Sequence, residues 1–156
     1  MPRMHTTMVV MAALAVLAGP ISPAGAEQQT PNEAAAERML GAINETRAKN
    51  KLDALRESPS LIGSATRFSH WLMANDSFGH LGGIQASNRF ALLGEALAMH
   101  TGRDFSIKGT LAQWMGSPPH RALVLSSTMR WMGTGVTRGR LGSTAATVWV
   151  LQVGRL

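Results

Sequence analysis

From residue 36 to residue 55 apolar side chains recur at helical spacing, as Ala36, Met39, Leu40 and Ile43, and Leu52 and Leu55 follow after the polar break at Lys49 to Lys51. One apolar stripe with polar neighbours predicts an amphipathic helix followed by a connector. Asn32 is the expected N-cap, with Glu33 and Glu37 near the positive end of the helix dipole. Ser58-Pro59 then opens a second helix, since Pro at the first helical position gives up an N–H that would have no partner there. Its stripe is Leu61, Ile62, Ala65, Phe68, Ser69, Leu72 and Met73, and its end is expected near Asn75-Asp76. The glycine-rich stretch from Gly79 to Gly83 reads as a loop.

Further along, a short helical turn is expected over Ser87 to Leu92, broken by Gly94 before a brief extended stretch from Glu95 to Ala98. Ser106 is the expected cap of a helix from Ile107 to Met115, which presents Leu111, Trp114 and Met115. Ser117-Pro118-Pro119 stops it, because Pro disfavours helical geometry in the residue before it, and Arg121 to Leu125 reads as one more short helical segment. Two strand-like runs, Trp131 to Thr137 and Ala145 to Val153, flank Gly139 to Ser143 and predict a terminal β-hairpin. Helices before strands in a short chain point to an α+β layered domain rather than a doubly wound sheet.

The first 26 residues follow a different logic. Arg3 and His5 precede an apolar run from Met8 to Ala18, then Gly19-Pro20 and the small-residue end Ala24-Gly25-Ala26. That is the layout of a signal peptide cleaved near Ala26, and the run is well short of the roughly 20 residues that span a bilayer. Residues 27–156 are then expected to form one domain, soluble and monomeric, secreted or periplasmic, with no transmembrane segment. The formal charge of +6 drops to +5 without Arg3. The basic residues are scattered apart from Arg47 to Lys51, a run that suits a helix C-terminus, so no nucleic-acid partner is expected. With no Cys, the exported chain has no disulfide framework and relies on its core.

The chemistry concentrates in Phe78-Gly79-His80, Gly94-Glu95 and Trp114 to Arg121. With Asn44-Glu45-Thr46-Arg47, the Leu61 to His80 stretch with its Ala65 and Ser69, Met132 to Val136, and Trp149 to Gly154, these segments resemble the CAP superfamily. That is the cysteine-rich secretory, antigen 5 and pathogenesis-related 1 group, here in its short bacterial SCP-like form. The resemblance implies an α-β-α sandwich with a small antiparallel sheet between helical layers. It also implies a central cavity lined by two His and two Glu, a set that binds divalent metal in several members. On the matching motifs His80 is the first His, Glu95 the Glu of a Gly-Glu-Asn motif, and His120 the second His. Ser117 stands where the second Glu is expected, and Ala96 replaces the motif's Asn.

Two imidazoles and a carboxylate at His80, Glu95 and His120 are a sensible ligand set for Zn²⁺ or another divalent cation, with a fourth position for water. Losing the second carboxylate weakens that set, and there is no short-spaced metal motif such as His-Glu-x-x-His. In the structural alternative His80 and Glu95 hydrogen-bond each other while His120 and Arg121 brace the neighbouring loop. Ser117, His120 and Glu95 also contain the residue types of a nucleophile, base and orienting acid, but Ser117 lacks a Gly-x-Ser-x-Gly elbow and precedes Pro, as a helix-terminating residue does. The four Trp residues are expected in the core or cavity wall, His70 on a helix surface and His100 in a loop. The expected function is a cavity that binds a ligand or divalent ion. The alternatives are a metal-dependent hydrolase acting on peptide or cell-envelope substrates and a lipid or sterol carrier.

Overall fold

The computed structural model describes residues 29–156, so the signal-peptide and cleavage-site expectations lie outside the described residues. The first helix, α1, spans Pro31–Lys49. Its cap is Thr30, not Asn32, which sits inside the first turn behind Pro31 at the start of the helix. Thr30 Oγ1 accepts from the Glu33 amide at 3.2 Å and the Glu33 carboxylate accepts from the Thr30 amide at 2.7 Å. This reciprocal pair is a capping box, and hydrogen bonding to the Glu33 carboxylate from the Thr30 amide, then from the Thr30 side chain, holds that carboxyl below its usual range.

The other elements follow in chain order: β1 (Arg56–Glu57), α2 (Pro59–Ala74), β2 (Leu92–Thr101), α3 (Ile107–Gly116), α4 (Pro118–Val124), β3 (Trp131–Leu141) and β4 (Thr144–Arg155). Ser58 caps α2 and Asn75 ends it, as the sequence predicts. Residues 87–92 form no helical turn, only a bend and a tight turn at Asn88-Arg89. Gly94 lies within β2 and does not break it. Ser106 precedes α3 in a left-handed conformation and makes no side-chain cap. The predicted five-residue loop in the hairpin shrinks to Gly142-Ser143, because pairing runs out to Leu141 opposite Thr144.

The strand order is β1-β3-β4-β2, antiparallel throughout except for the short parallel pairing of β1 with β3. Successive strand residues point to opposite faces, so each strand serves two layers. On one face, Met132, Val136, Trp149, Leu151 and Val153 join Met39, Leu40 and Ile43 of α1, Trp114 of α3 and Val124 of α4 in the larger core. On the other, Leu97, Val148 and Val150 pack against Ala65 and Leu72 of α2. Helices thus cover both faces, the α-β-α sandwich expected of the sequence. A Cβ on Gly133 would lie 2.2 Å from the Ile62 backbone N, and one on Gly135 2.4 Å from the Ala65 backbone, so these glycines let α2 lie directly on β3.

The basic run from Arg47 lies at the C-terminal end of α1, as its composition suits, but Arg47 itself turns inward. It is 1% exposed, and its guanidinium donates to the carbonyls of Asp53, Val124 and Ser126 at 2.7 to 2.9 Å. Asn44 grips the same connector, donating to the Leu55 carbonyl and accepting from the Leu55 amide. Both residues stabilise the fold from within.

Candidate functional site

The register sets Glu95 of β2 directly opposite Gln152 of β4, and Gln152 opposite Gly133 of β3. All three therefore face the α2 side of the sheet. Glu95 Oε2 accepts from Gln152 Nε2 at 2.8 Å, and Glu95 Oε1 lies 2.9 Å from His80 Nδ1. The Glu95 side chain is only 9% exposed, whereas that of His80 is 53% exposed and caps the outer end of the chain. Two partners on one largely buried carboxylate account for its ability to stay in place without an Arg or Lys.

A cleft of about 590 Å³ adjoins this chain, with Ser64, Phe68 and Trp71 of α2, Leu81 of the following loop, and Glu95 and Gln152 in its lining. Phe68 and Trp71 stack at 6.1 Å between ring centroids. Trp71 is 40% exposed and Leu81 51% exposed, so Trp71 is cleft wall rather than core. Trp114 and Trp149 are fully buried, as a core role requires. The His80 side of Glu95 opens onto a second, shallower hollow formed with Leu81 to Ile84 and Leu93-Gly94.

His120 begins from the other side of the sheet. It lies in the first turns of α4, whose Leu123 packs on Gly94 from the face opposite Glu95; a Cβ on Gly94 would fall 2.5 Å from Leu123 Cδ2. Burial and then the nearby charge of His80 push the His120 pKa below its ordinary value, so the ring is neutral at neutral pH. Ser117 is at once the C-cap of α3 and the N-cap of α4, makes no side-chain cap, and lines neither hollow. Arg121 Nε donates to the Met115 carbonyl at 2.6 Å and braces the α3–α4 junction.

Among the described residues no group of three or more His, Asp and Glu comes together to hold a metal ion. His80 and Glu95 pair with each other, and His120, whose ring feels the charge of His80, does not complete a group of three donors with them. His100 lies in β2, not in a loop, with Nε2 2.8 Å from the buried Thr110 Oγ1, and His70 is exposed on α2.

Gln152, Ser64 and the Phe68–Trp71 pair do not stand out as site residues in the sequence. A lone amide inside the apolar run Val148 to Val153 is the signal that marks Gln152, since a buried polar side chain needs a reason.

No helix among the described residues is long and apolar enough to cross a membrane. The model of the cysteine-rich secretory protein family, CAP, matches residues 40–153. A comparison with curated proteins yields no match. Among solved structures the chain resembles an outer surface protein of Borrelia burgdorferi, at 18% identity and TM-score 0.65 over 79% of this chain and 93% of that one. It also resembles an extracellular SCP-domain protein of Bacillus anthracis, at 18% identity and TM-score 0.66, covering 88% of this chain and 45% of that one. A cysteine-rich secretory protein of Staphylococcus aureus aligns at 15% identity and TM-score 0.59 over 85% of this chain and 40% of that one. At these identities the likeness is one of fold, and it agrees with the family match. The chain, although it carries no cysteine, belongs to the cysteine-rich secretory protein (CAP) family.

Proposed function

We propose that this chain is an exported, monomeric bacterial CAP-domain protein that binds a small ligand in the cleft on the α2 face of its sheet. The observation that carries this reading is the His80–Glu95–Gln152 chain, which holds a mostly buried carboxylate beside a cleft of about 590 Å³. Ligand sites combine an apolar wall with a few fixed polar groups, and the cleft has both. Export is supported by the signal-like first 26 residues and by structural neighbours described as outer-surface or extracellular proteins.

The ligand reading and the divalent-ion reading separate in one experiment. Calorimetric titration of the mature protein with Zn²⁺ is expected to give a Kd weaker than about 10 µM, little changed in His80→Ala or in His120→Ala. Sub-micromolar Zn²⁺ binding that depends on both His residues would replace the ligand reading with a metal site. In parallel, amide NMR with a small-molecule library is expected to move the Gln152 side-chain signals. A library that leaves them unmoved removes the ligand reading.

A further inference from the structure

Within that cleft two polar atoms remain without a partner in the protein. Ser64 Oγ and Gln152 Oε1 are buried, make no hydrogen bond, and belong to residues only 2% and 1% exposed that line the cleft. Turning the Gln152 amide does not remove the problem. Its nitrogen donates to Glu95 Oε2, and a carboxylate only accepts, so the amide oxygen must face the other way. The site therefore asks a ligand for a donor at Gln152 Oε1 and for a group that donates or accepts at Ser64 Oγ.

The remaining lining mixes apolar and polar groups: the stacked pair Phe68 and Trp71, with Trp71 open to solvent, the exposed Leu81, and Arg67 and Gln85, whose backbone carbonyl accepts from the Arg67 guanidinium. The hydrocarbon body of a lipid would cover these rings and leave both polar atoms unpaired, which opposes binding. A saccharide meets both demands. The C–H face of its ring packs on an exposed indole, and each hydroxyl donates and accepts. An N-acetyl group adds an amide N–H for Gln152 Oε1 and a methyl for the apolar wall.

We propose that the cleft binds a saccharide carrying an N-acetyl group, with Trp71 as the stacking platform and Gln152 and Ser64 as the pair that recognises the acetamido and hydroxyl groups. The proposal rests on the ligand reading of the cleft given above.

The test titrates the mature protein with N,N′-diacetylchitobiose and with cellobiose by calorimetry. Cellobiose, which lacks the acetamido groups, is expected to bind at least about tenfold more weakly, because the Gln152 oxygen stays unpaired. Trp71→Ala, at an exposed position, is expected to lose at least about tenfold in affinity for diacetylchitobiose while circular dichroism stays unchanged. Equal affinity for the two sugars, or no binding of diacetylchitobiose at millimolar concentration, overturns the proposal whatever the variant does. If the sugar fails while other small molecules move the Gln152 amide signals, the saccharide assignment alone falls. If nothing moves them, the ligand reading falls with it.

Discussion

The two faces of the sheet solve different problems. On the α1, α3 and α4 face, large side chains fill a continuous core, and Arg47, the one buried cation among the described residues, places its N–H groups on three carbonyls. Among the described residues a single buried side-chain polar atom there, Trp114 Nε1, has no partner, and its residue lines none of the clefts described. On the α2 face the apolar cluster is smaller, glycines bring the helix down on β3, and a buried carboxylate, an amide and a hydroxyl gather beside open aromatic rings. A fold optimised only for stability would not keep two orphan polar atoms at a cleft floor. The difference teaches where to look: one face holds the molecule together, and the other holds groups whose partners must come from outside.

Arg47→Met is the substitution expected to do the most damage. It strips donors from the carbonyls of Asp53, Val124 and Ser126 and unties α1 from the segment after α4. Urea denaturation should show a loss of about 3 to 5 kcal/mol, with ligand binding unchanged wherever the variant is still folded. A loss below about 1 kcal/mol would mean that this face does not depend on its clamp.

Gly133→Ala attacks the contact of α2 with β3 on the cleft side of the sheet. Its Cβ would meet backbone atoms of Leu61 and Ile62 at 2.2 to 2.8 Å, and no flexible side chain is there to give way. The helix must lift, at a cost of about 1 to 3 kcal/mol by urea denaturation. Because Ser64, Phe68 and Trp71 ride on the same helix, the change should also weaken ligand binding, which Arg47→Met should not. Equal effects on binding would erase the distinction between the faces.

The smallest expected effect is the pH dependence from His120. Its pKa is lowered in the folded state by burial and by the charge of His80, so the unfolded chain binds the proton more readily. Stability is then full above the unfolded value of 6.5 and falls as the pH drops through it toward the folded value. Thermal melts between pH 7.5 and about pH 5 should show a decline that is shallower in His120→Asn. A steeper decline in the variant would contradict that sign.

Most of the fold is legible because its signals are local. Ser58-Pro59, the Leu61 to Met73 stripe and the hairpin all act over a few residues and are where the periodicity places them. The misreadings are where tertiary contact overrides local preference. Gly94 reads as a breaker but is small because Leu123 packs on it, and Arg47 reads only as part of a helix-terminal basic run, whereas it is buried by a segment far along the chain. The Thr30 cap is masked because Asn32 is an equally good capping residue type, and Pro31 decides between them by occupying the first helical position. The site is half legible for the same reason. His80 and Glu95 stand in unusual local sequences, whereas Gln152 joins them only through the β2–β4 register, which no local pattern specifies.

The claim that the α2 face keeps its polar groups for a ligand is tested most directly by the double variant Glu95→Met with Gln152→Met. Both partners of the hydrogen bond become apolar side chains of similar shape, so neither is left unpaired, and the orphan Gln152 oxygen disappears as well. The expected result is urea-denaturation stability within about 1 kcal/mol of the natural chain or above it, together with loss of ligand binding. A loss of about 3 kcal/mol or more would show that Glu95 and Gln152 brace the fold, and would contradict that claim.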